Sequence, residues 1–577
     1  MDTKYQSGKR GHQSGKRGHR SGKWRQLGVW ALLAACSLPA VQAQEPSSDP
    51  VRELQKQAAE TKKASWGRWG KDQNAYSSWT SHSNRLIPVY TFGISLDGYQ
   101  GEKSLYRDEA KVKALYGQVP ANTVNPKAEY FDQTDIYKLQ LDAVAAGKKY
   151  VILVIFDGMD WQTTQAAAIY KSQKIYTAGR GSGLRFQDYK GEDGLVTDYG
   201  WYVTSPHNNG SNVDVNAQAV LDNSSSERGG YDANVGGAQP WARPLSEQYL
   251  MGQLRRVPHA VTDSASSATS FTSGIKTYNA AINVDPEGNK VEPVARKLQR
   301  ENGFSIGVVT SVPISHATPA AAYSNNVHRD DYQDLTRVMI GLPSIAYRQD
   351  GPPGVDVLMG AGWGSNSEKE DKQGANYVSG NKFITDADMK AIDVENGGKY
   401  TIAQRTAGKT GREVLLEKGK LALKRKSRFF GFFGVDGGQL PFQTADGGYN
   451  PHGTEYSEAD RTENPTLSDM TRVALALLSQ NKKGFWLMVE AGDVDWANHS
   501  NNIDNSIGAV LSGDDAFDSI IRWVEKNSAW DETAVILTAD HGHFLVMENP
   551  AILLKSGAEA EAEAGAEAEA EAEAATP

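Results

Sequence analysis

Cysteine is nearly absent. Cys36 is the only one in 577 residues, so no intramolecular disulfide forms and no cysteine-rich zinc module can be built. Any metal site must draw on histidine and carboxylates. Long apolar runs are lacking too: the stretch from Leu27 to Leu38 is too short to span a bilayer stably. With 39% hydrophobic and 23% charged residues, the composition excludes a multi-span membrane protein and a wholly disordered chain. An excess of positive charge is missing. The formal net charge is −9, and the basic residues crowd into the first 43, so the remainder is more acidic still and offers no generic attraction to nucleic acid. There is no G-x-S-x-G elbow to suggest a serine hydrolase triad. Gly408-Lys409-Thr410 resembles the end of a P-loop, but Ala403 stands where that loop needs glycine.

What is present begins with a leader. Residues 1–43 repeat QSGKRGH, carry basic residues up to Arg25, continue into the apolar run and end in Val41-Gln42-Ala43, a small-residue cleavage site before Gln44. This pattern predicts a signal peptide. Leu33-Ala34-Ala35-Cys36 also resembles a bacterial lipobox, which would make Cys36 an acylated first residue; otherwise it is a cysteine in a discarded signal. Either route predicts export, to the periplasm, the medium or an outer-membrane anchor. Residues 44–148 read as a polar N-terminal extension with little chemistry, 149–555 as the main folded domain, and 556–577 as a low-complexity Glu/Ala tail without the apolar face that packing needs.

Apolar runs alternate with helical patterns through the body, which predicts an α/β/α sandwich with a largely parallel central sheet and long insertions. Strands are expected at 149–156, 304–310, 355–359, 428–434, 485–490 and 533–538, and helices at 467–479 and 514–526. Gly-, Asn- and Asp-rich stretches at 205–240 and 360–400 read as insertions that rim a site.

Ligands of open α/β sheets bind beyond the carboxyl ends of the strands. Asp157 follows the first core run; Ser315-His316-Ala317-Thr318 follows the second; Glu490, Asp495 and His499 lie at and after FWLMVE; Asp540, His541 and His543 follow TAVILT. Each alone fits a turn former or a helix cap. Together they are a ligand set for divalent ions, imidazole favouring zinc and oxygen favouring magnesium. The small residues after Ser264 predict a tight helix with that serine at its N-terminus, where backbone N–H groups favour an anion. A metal ion can activate such a serine in place of a histidine base.

The segment VTDSASSATSFTSGIKTYNAAINVD, Val261 to Asp285, resembles the nucleophile region of alkaline phosphatases, and FDGM at 156–159, HATPAA at 316–321, VLMGAG at 357–362, VEAGDVDWANH at 489–499 and TADHGH at 538–543 resemble further blocks of that family in the same order. The resemblance spans roughly residues 149–545. It implies a dimeric phosphomonoesterase with two zinc ions and one magnesium, acting on small phosphate monoesters. Ser264 would become a phosphoserine, with Asp263 organising its surroundings. Asp157, Asp540 and His541 would hold the zinc that activates Ser264, Asp495 and His499 the zinc at the leaving oxygen, and Asp157, Thr318 and Glu490 the magnesium. Arg329 would grip the phosphate oxygens, although without the resemblance it reads as a solvated surface charge.

His316 and Trp496 replace the Asp and Lys of the best-known bacterial enzyme, which bears on the third metal's identity. His543 is expected to orient a carboxylate such as Asp495. The family carries a third zinc-binding histidine downstream of its ADHGH-like block, and none follows His543 here. That leaves the ligand to His543, water or a tail glutamate, and predicts weakened zinc and lowered turnover. Two alternatives stand beside the phosphatase: a truncated member that binds metal or phosphate without turnover, and a related phosphodiesterase or sulfatase.

Overall fold

A computed structural model describes residues 49–69, 82–191, 194–254, 259–527 and 529–554. The lipobox, the cleavage site and the Glu/Ala tail lie outside these residues.

Ten strands form the central sheet: β1 Ile87–Phe92, β2 Phe131–Asp132, β3 Tyr150–Phe156, β4 Thr197–Val203, β5 Ser305–Pro313, β6 Val357–Ala361, β7 Tyr400–Gln404, β8 Arg428–Phe432, β9 Phe485–Ala491 and β10 Thr533–Thr538. Their order across the sheet is β7-β8-β6-β5-β9-β3-β10-β1-β4-β2. From β7 through β10 every neighbouring pair is parallel. The central strands β3, β9 and β10 are almost wholly buried, which is why they read as unbroken apolar runs rather than alternating ones. The expected α/β sandwich with a largely parallel sheet is therefore what forms. One helical group, including Trp161–Ser172, Leu467–Leu478 and Ile503–Lys526, packs together on the sheet, and a second, including Asp135–Ala145, Ser264–Ser273 and Val294–Glu301, packs as another layer.

Strand β1 is the exception. It runs antiparallel to both neighbours, β10 and β4, and it lies in the interior of the sheet. Its start therefore sits at the edge where the parallel strands end: Val89 pairs with Thr538, the last residue of β10, and Ser83 extends the contact by donating its N–H to the Gly542 carbonyl at 2.7 Å. Residues just before β1 thus face the same rim as Asp157 and Asp540. The reading of 44–148 as a segment with little chemistry is corrected here, since it supplies an interior strand and, as shown below, a side chain of the site.

The long helix Ile503–Lys526 begins eleven residues ahead of the expected 514. Gly513 interrupts the apolar pattern because a Cβ there would lie 2.2 Å from Phe156 Cε1; the helix passes too close to β3 for any side chain.

Candidate active site

Asp157, Glu490, Asp495, His499, Asp540 and His541 sit at a strand end or on the segment that follows. Asp157 follows β3, and Gly158 beside it takes φ +72°, with a built Cβ only 2.7 Å from the His543 ring. Only glycine lets that turn approach so closely. Its N–H donates to Asp540 Oδ1 at 2.9 Å, tying the β3 and β10 ends together. Glu490 lies within β9 and accepts from Thr310 Oγ1 of β5. Asp495 and His499 fall on the helix Asp493–His499, and the four-residue spacing sets them on one face.

Ser264 opens the helix Ser264–Ser273, every residue of which is buried. Asp263, not Ser264, is the N-cap: its Oδ1 accepts the Ser266 N–H at 2.9 Å. Ser264 is thereby free for chemistry. Its hydroxyl lies 3.1 Å from His541 Nε2 and donates to Asp157 Oδ1 at 3.4 Å. Asp263 Oδ2 also accepts from Arg329 Nη1 at 3.1 Å, and Arg329 Nη2 stands 3.3 Å from His316 Nε2. Arg329 is therefore largely buried in an ion pair beside the serine, not a solvated surface charge. Burial opposes its charge, but Asp263, Tyr332 and Asp330 outweigh that and raise its pKa. Trp496 meets the His316 ring edge-on at 5.8 Å.

Among the described residues two groups of side chains converge tightly enough to hold ions: His82, Asp495, His499 and His543; and Asp157, Asp495 and His541. Within each group the ligand atoms lie within 4.8 Å of one another. Asp540 Oδ2 is 3.5 Å from His541 Nε2, so it borders the second group. The structure brings together the expected Asp495 and His499, and adds a direct contact of His543 Nε2 with Asp495 Oδ1 at 2.6 Å.

Sequence reasoning missed His82. It reaches the rim through the antiparallel entry of β1, its Nε2 lies 3.1 Å from His499 Nε2 and 3.7 Å from Asp495 Oδ1, and its ring stacks on His541 at 3.8 Å. The Thr262 carbonyl, 3.0 Å from Nδ1, can only accept, so Nδ1 carries the proton and Nε2 presents a lone pair to the cluster. The signal was there in outline: a histidine just before an IPVYTF run, in a chain with no histidine after His543. Gln133 was missed as well. Its Nε2 donates to the Asp540 carbonyl at 2.8 Å and to Ser267 Oγ at 2.6 Å, fixing the turn that carries Asp540.

The donor set fits bound cations. Buried Asp157 Oδ2, Thr318 Oγ1, Glu490 Oε1 and Asp540 Oδ2 have no hydrogen-bond partner, a costly arrangement unless an ion collects them. Burial, reinforced by neighbouring carboxylates, pushes Asp157 and Asp540 well above the usual range, and burial raises Glu490 to about 8. Asp495 goes the other way: burial would raise it, but His499, His543 and His82 hold it well below. Burial, then Arg329, lowers His316 to about 3, and burial, then His499, lowers His543 to about 3. Neutral imidazoles facing uncompensated carboxylates are the protonation pattern of a metal centre.

A family model described as alkaline phosphatase matches residues 239–571. Alkaline phosphatase 3 of Bacillus subtilis is 31% identical over 307 residues, covering 51% of this chain and 53% of that protein. Alkaline phosphatase H of Pseudomonas aeruginosa is 30% identical, covering 52% of this chain and 62% of that protein. The solved alkaline phosphatase from the Antarctic bacterium TAB5 is 23% identical with a TM-score of 0.40, covering 69% of this chain and 80% of that one. The chain spans about half the length of the first curated relatives it matches. His82 and Asp157 both precede the residues matched by the family model.

Proposed function

The chain belongs to the alkaline phosphatase family, and from that premise we propose that it is an exported, metal-dependent phosphomonoesterase working through a phosphoserine at Ser264. The observation that carries this reading is the placement of Ser264 Oγ, at a helix N-terminus and 3.1 Å from His541 Nε2, beside the Asp157, Asp495 and His541 group and next in sequence to the Asp263–Arg329 pair.

Zinc bound by the two groups would make the Ser264 hydroxyl acidic and neutralise the departing oxygen, and magnesium at Asp157, Thr318 and Glu490 would add positive charge behind them. The chain's own residues do the rest. The helix N-terminus and Arg329 attract the phosphate dianion, and Asp263 aligns the guanidinium so that its planar fork meets the non-bridging oxygens. Ser264 Oγ attacks phosphorus in line, the ester P–O bond breaks and the alcohol leaves with a proton. Water then cleaves the P–Oγ bond, releasing phosphate and restoring the hydroxyl.

The reading of an impaired family member rested on the missing downstream histidine. His82 supports full turnover instead, because it brings a third imidazole to Asp495 and His499. Arg329, Thr318 and Glu490 together support monoesters over diesters or sulfate esters. The leader supports export, by cleavage after Ala43 or acylation at Cys36, and family membership supports a homodimer.

The covalent step is tested by quenching the enzyme in acid during turnover of a labelled phosphate monoester and locating label by peptide mass spectrometry. Label on the Ser264 peptide is expected. Turnover with no labelled peptide would overturn the covalent route.

A further inference from the structure

A cavity of about 320 Å³ opens beside the reaction centre. Its lining includes His82, His499 and Asp263 together with Asn209, Asn279 and Glu227. It therefore adjoins the side chains that surround the departing oxygen. Resting on the phosphatase reading above, we propose that this cavity receives the alcohol of the substrate, and that Glu227 selects phosphate monoesters of small cationic amino alcohols.

The wall is built by the insertion at 205–240 and held in place. His207 N–H donates to the Thr277 carbonyl at 2.8 Å, Asn279 N–H to Asn208 at 3.2 Å, Ala260 N–H to Arg228 at 2.9 Å, and Asn209 N–H to the Glu227 carbonyl at 3.3 Å. The insertion is thus stitched to both flanks of the Ser264 helix, and Glu227 keeps a fixed position relative to the serine. The other polar groups are already engaged. Asp263 is committed to Arg329, and the Asn279 amide bonds the Val261 carbonyl and the Asp263 N–H. Among the described residues the Glu227 carboxylate has no hydrogen bond or ion pair, and no lysine or arginine lines the cavity. A part-buried carboxylate on the lining of this cavity favours a cationic leaving group and repels one carrying a second anion. Among the described residues no Phe, Tyr or Trp lines the cavity, so these give it no platform for stacking a nucleobase. Its volume is at the lower end for small-molecule sites, which suits choline or ethanolamine.

The test compares kcat/KM for phosphocholine, phosphoethanolamine, glycerol phosphate and p-nitrophenyl phosphate in the metal-loaded wild-type, Glu227→Gln and Glu287→Gln proteins. Glu287 is exposed on a turn outside the cavity. A preference of about fivefold to tenfold for phosphocholine over glycerol phosphate is expected, carried in KM, lost in Glu227→Gln and kept in Glu287→Gln. The phosphoethanolamine preference should fade as pH rises through the pKa of its ammonium, near that of lysine at about 10, while the phosphocholine preference persists. An equal preference in wild type and Glu227→Gln, with p-nitrophenyl phosphate hydrolysed, overturns the proposal alone. No hydrolysis of any ester overturns the phosphatase reading and this proposal with it.

Discussion

His82, Ser264 and Arg329 each owe their roles to one contact. The Thr262 carbonyl sets the tautomer of His82; the cap supplied by Asp263 frees Ser264; and the Asp263 carboxylate orients Arg329. Three outcomes follow at this scale. Ser264→Ala should cut turnover by at least about a thousandfold while zinc content, read by elemental analysis, stays close to that of wild type. His82→Ala should weaken zinc binding at the Asp495 and His499 cluster by at least about tenfold, since even partners that only support a metal ligand cost that much; equal zinc affinity in wild type and His82→Ala would remove His82 from the site. Arg329→Lys keeps the charge but loses the fork, and kcat/KM should fall by about tenfold or more. Asp157, Glu490, Asp495, His499, Asp540 and His541 were legible in the sequence because strong apolar runs announce where strands end and polar residues follow them; Ser264 was marked by the small residues after it, and Arg329 by the resemblance alone. His82 was not, because a lone histidine in a polar stretch gains meaning only once the direction of the next strand is known.

At the scale of elements, that direction decides the site. A parallel strand in place of β1 would put its preceding loop at the opposite edge of the sheet, far from Asp540; the antiparallel entry between β10 and β4 puts it at the rim. Strands β3, β5, β6, β8, β9 and β10 were readable as apolar runs. Strand β4, TDYGWYV, mixes polar and aromatic residues because it lies toward the edge and is only part-buried, and β2 is two residues long, so neither leaves a sequence pattern. Ile87 opens β1 and is fully buried. Ile87→Ala should destabilise the fold by about 2–5 kcal/mol and, by loosening the anchor of His82, also lower zinc affinity. Denaturant unfolding and zinc titration of the same variant check both; a stability loss with unchanged zinc affinity would separate the strand from the site.

Across the whole molecule, the site is a concentration of buried carboxylates that the protein alone does not balance. Burial raises Glu490 to about 8 and, reinforced by neighbouring carboxylates, pushes Asp157 and Asp540 well above the usual carboxylate range. Because these folded-state values lie above the unfolded ones near 4, the metal-free protein is most stable with the groups protonated. That contribution is complete at pH below the unfolded values and is lost as pH rises through about 8. Chelated protein should therefore lose thermal stability between about pH 4 and 8 more steeply than metal-loaded protein, and at alkaline pH its Tm should lie at least about 5 °C lower. Parallel Tm profiles with and without metal would contradict this. The central claim is that these residues together form a metal-dependent phosphomonoesterase. Its most direct test is hydrolysis of p-nitrophenyl phosphate at alkaline pH by the purified protein with zinc and magnesium, after chelation, and after the metals are restored. The account predicts turnover that chelation removes and the metals recover. Absence of turnover in folded, metal-loaded protein, or turnover indifferent to chelation, would contradict it.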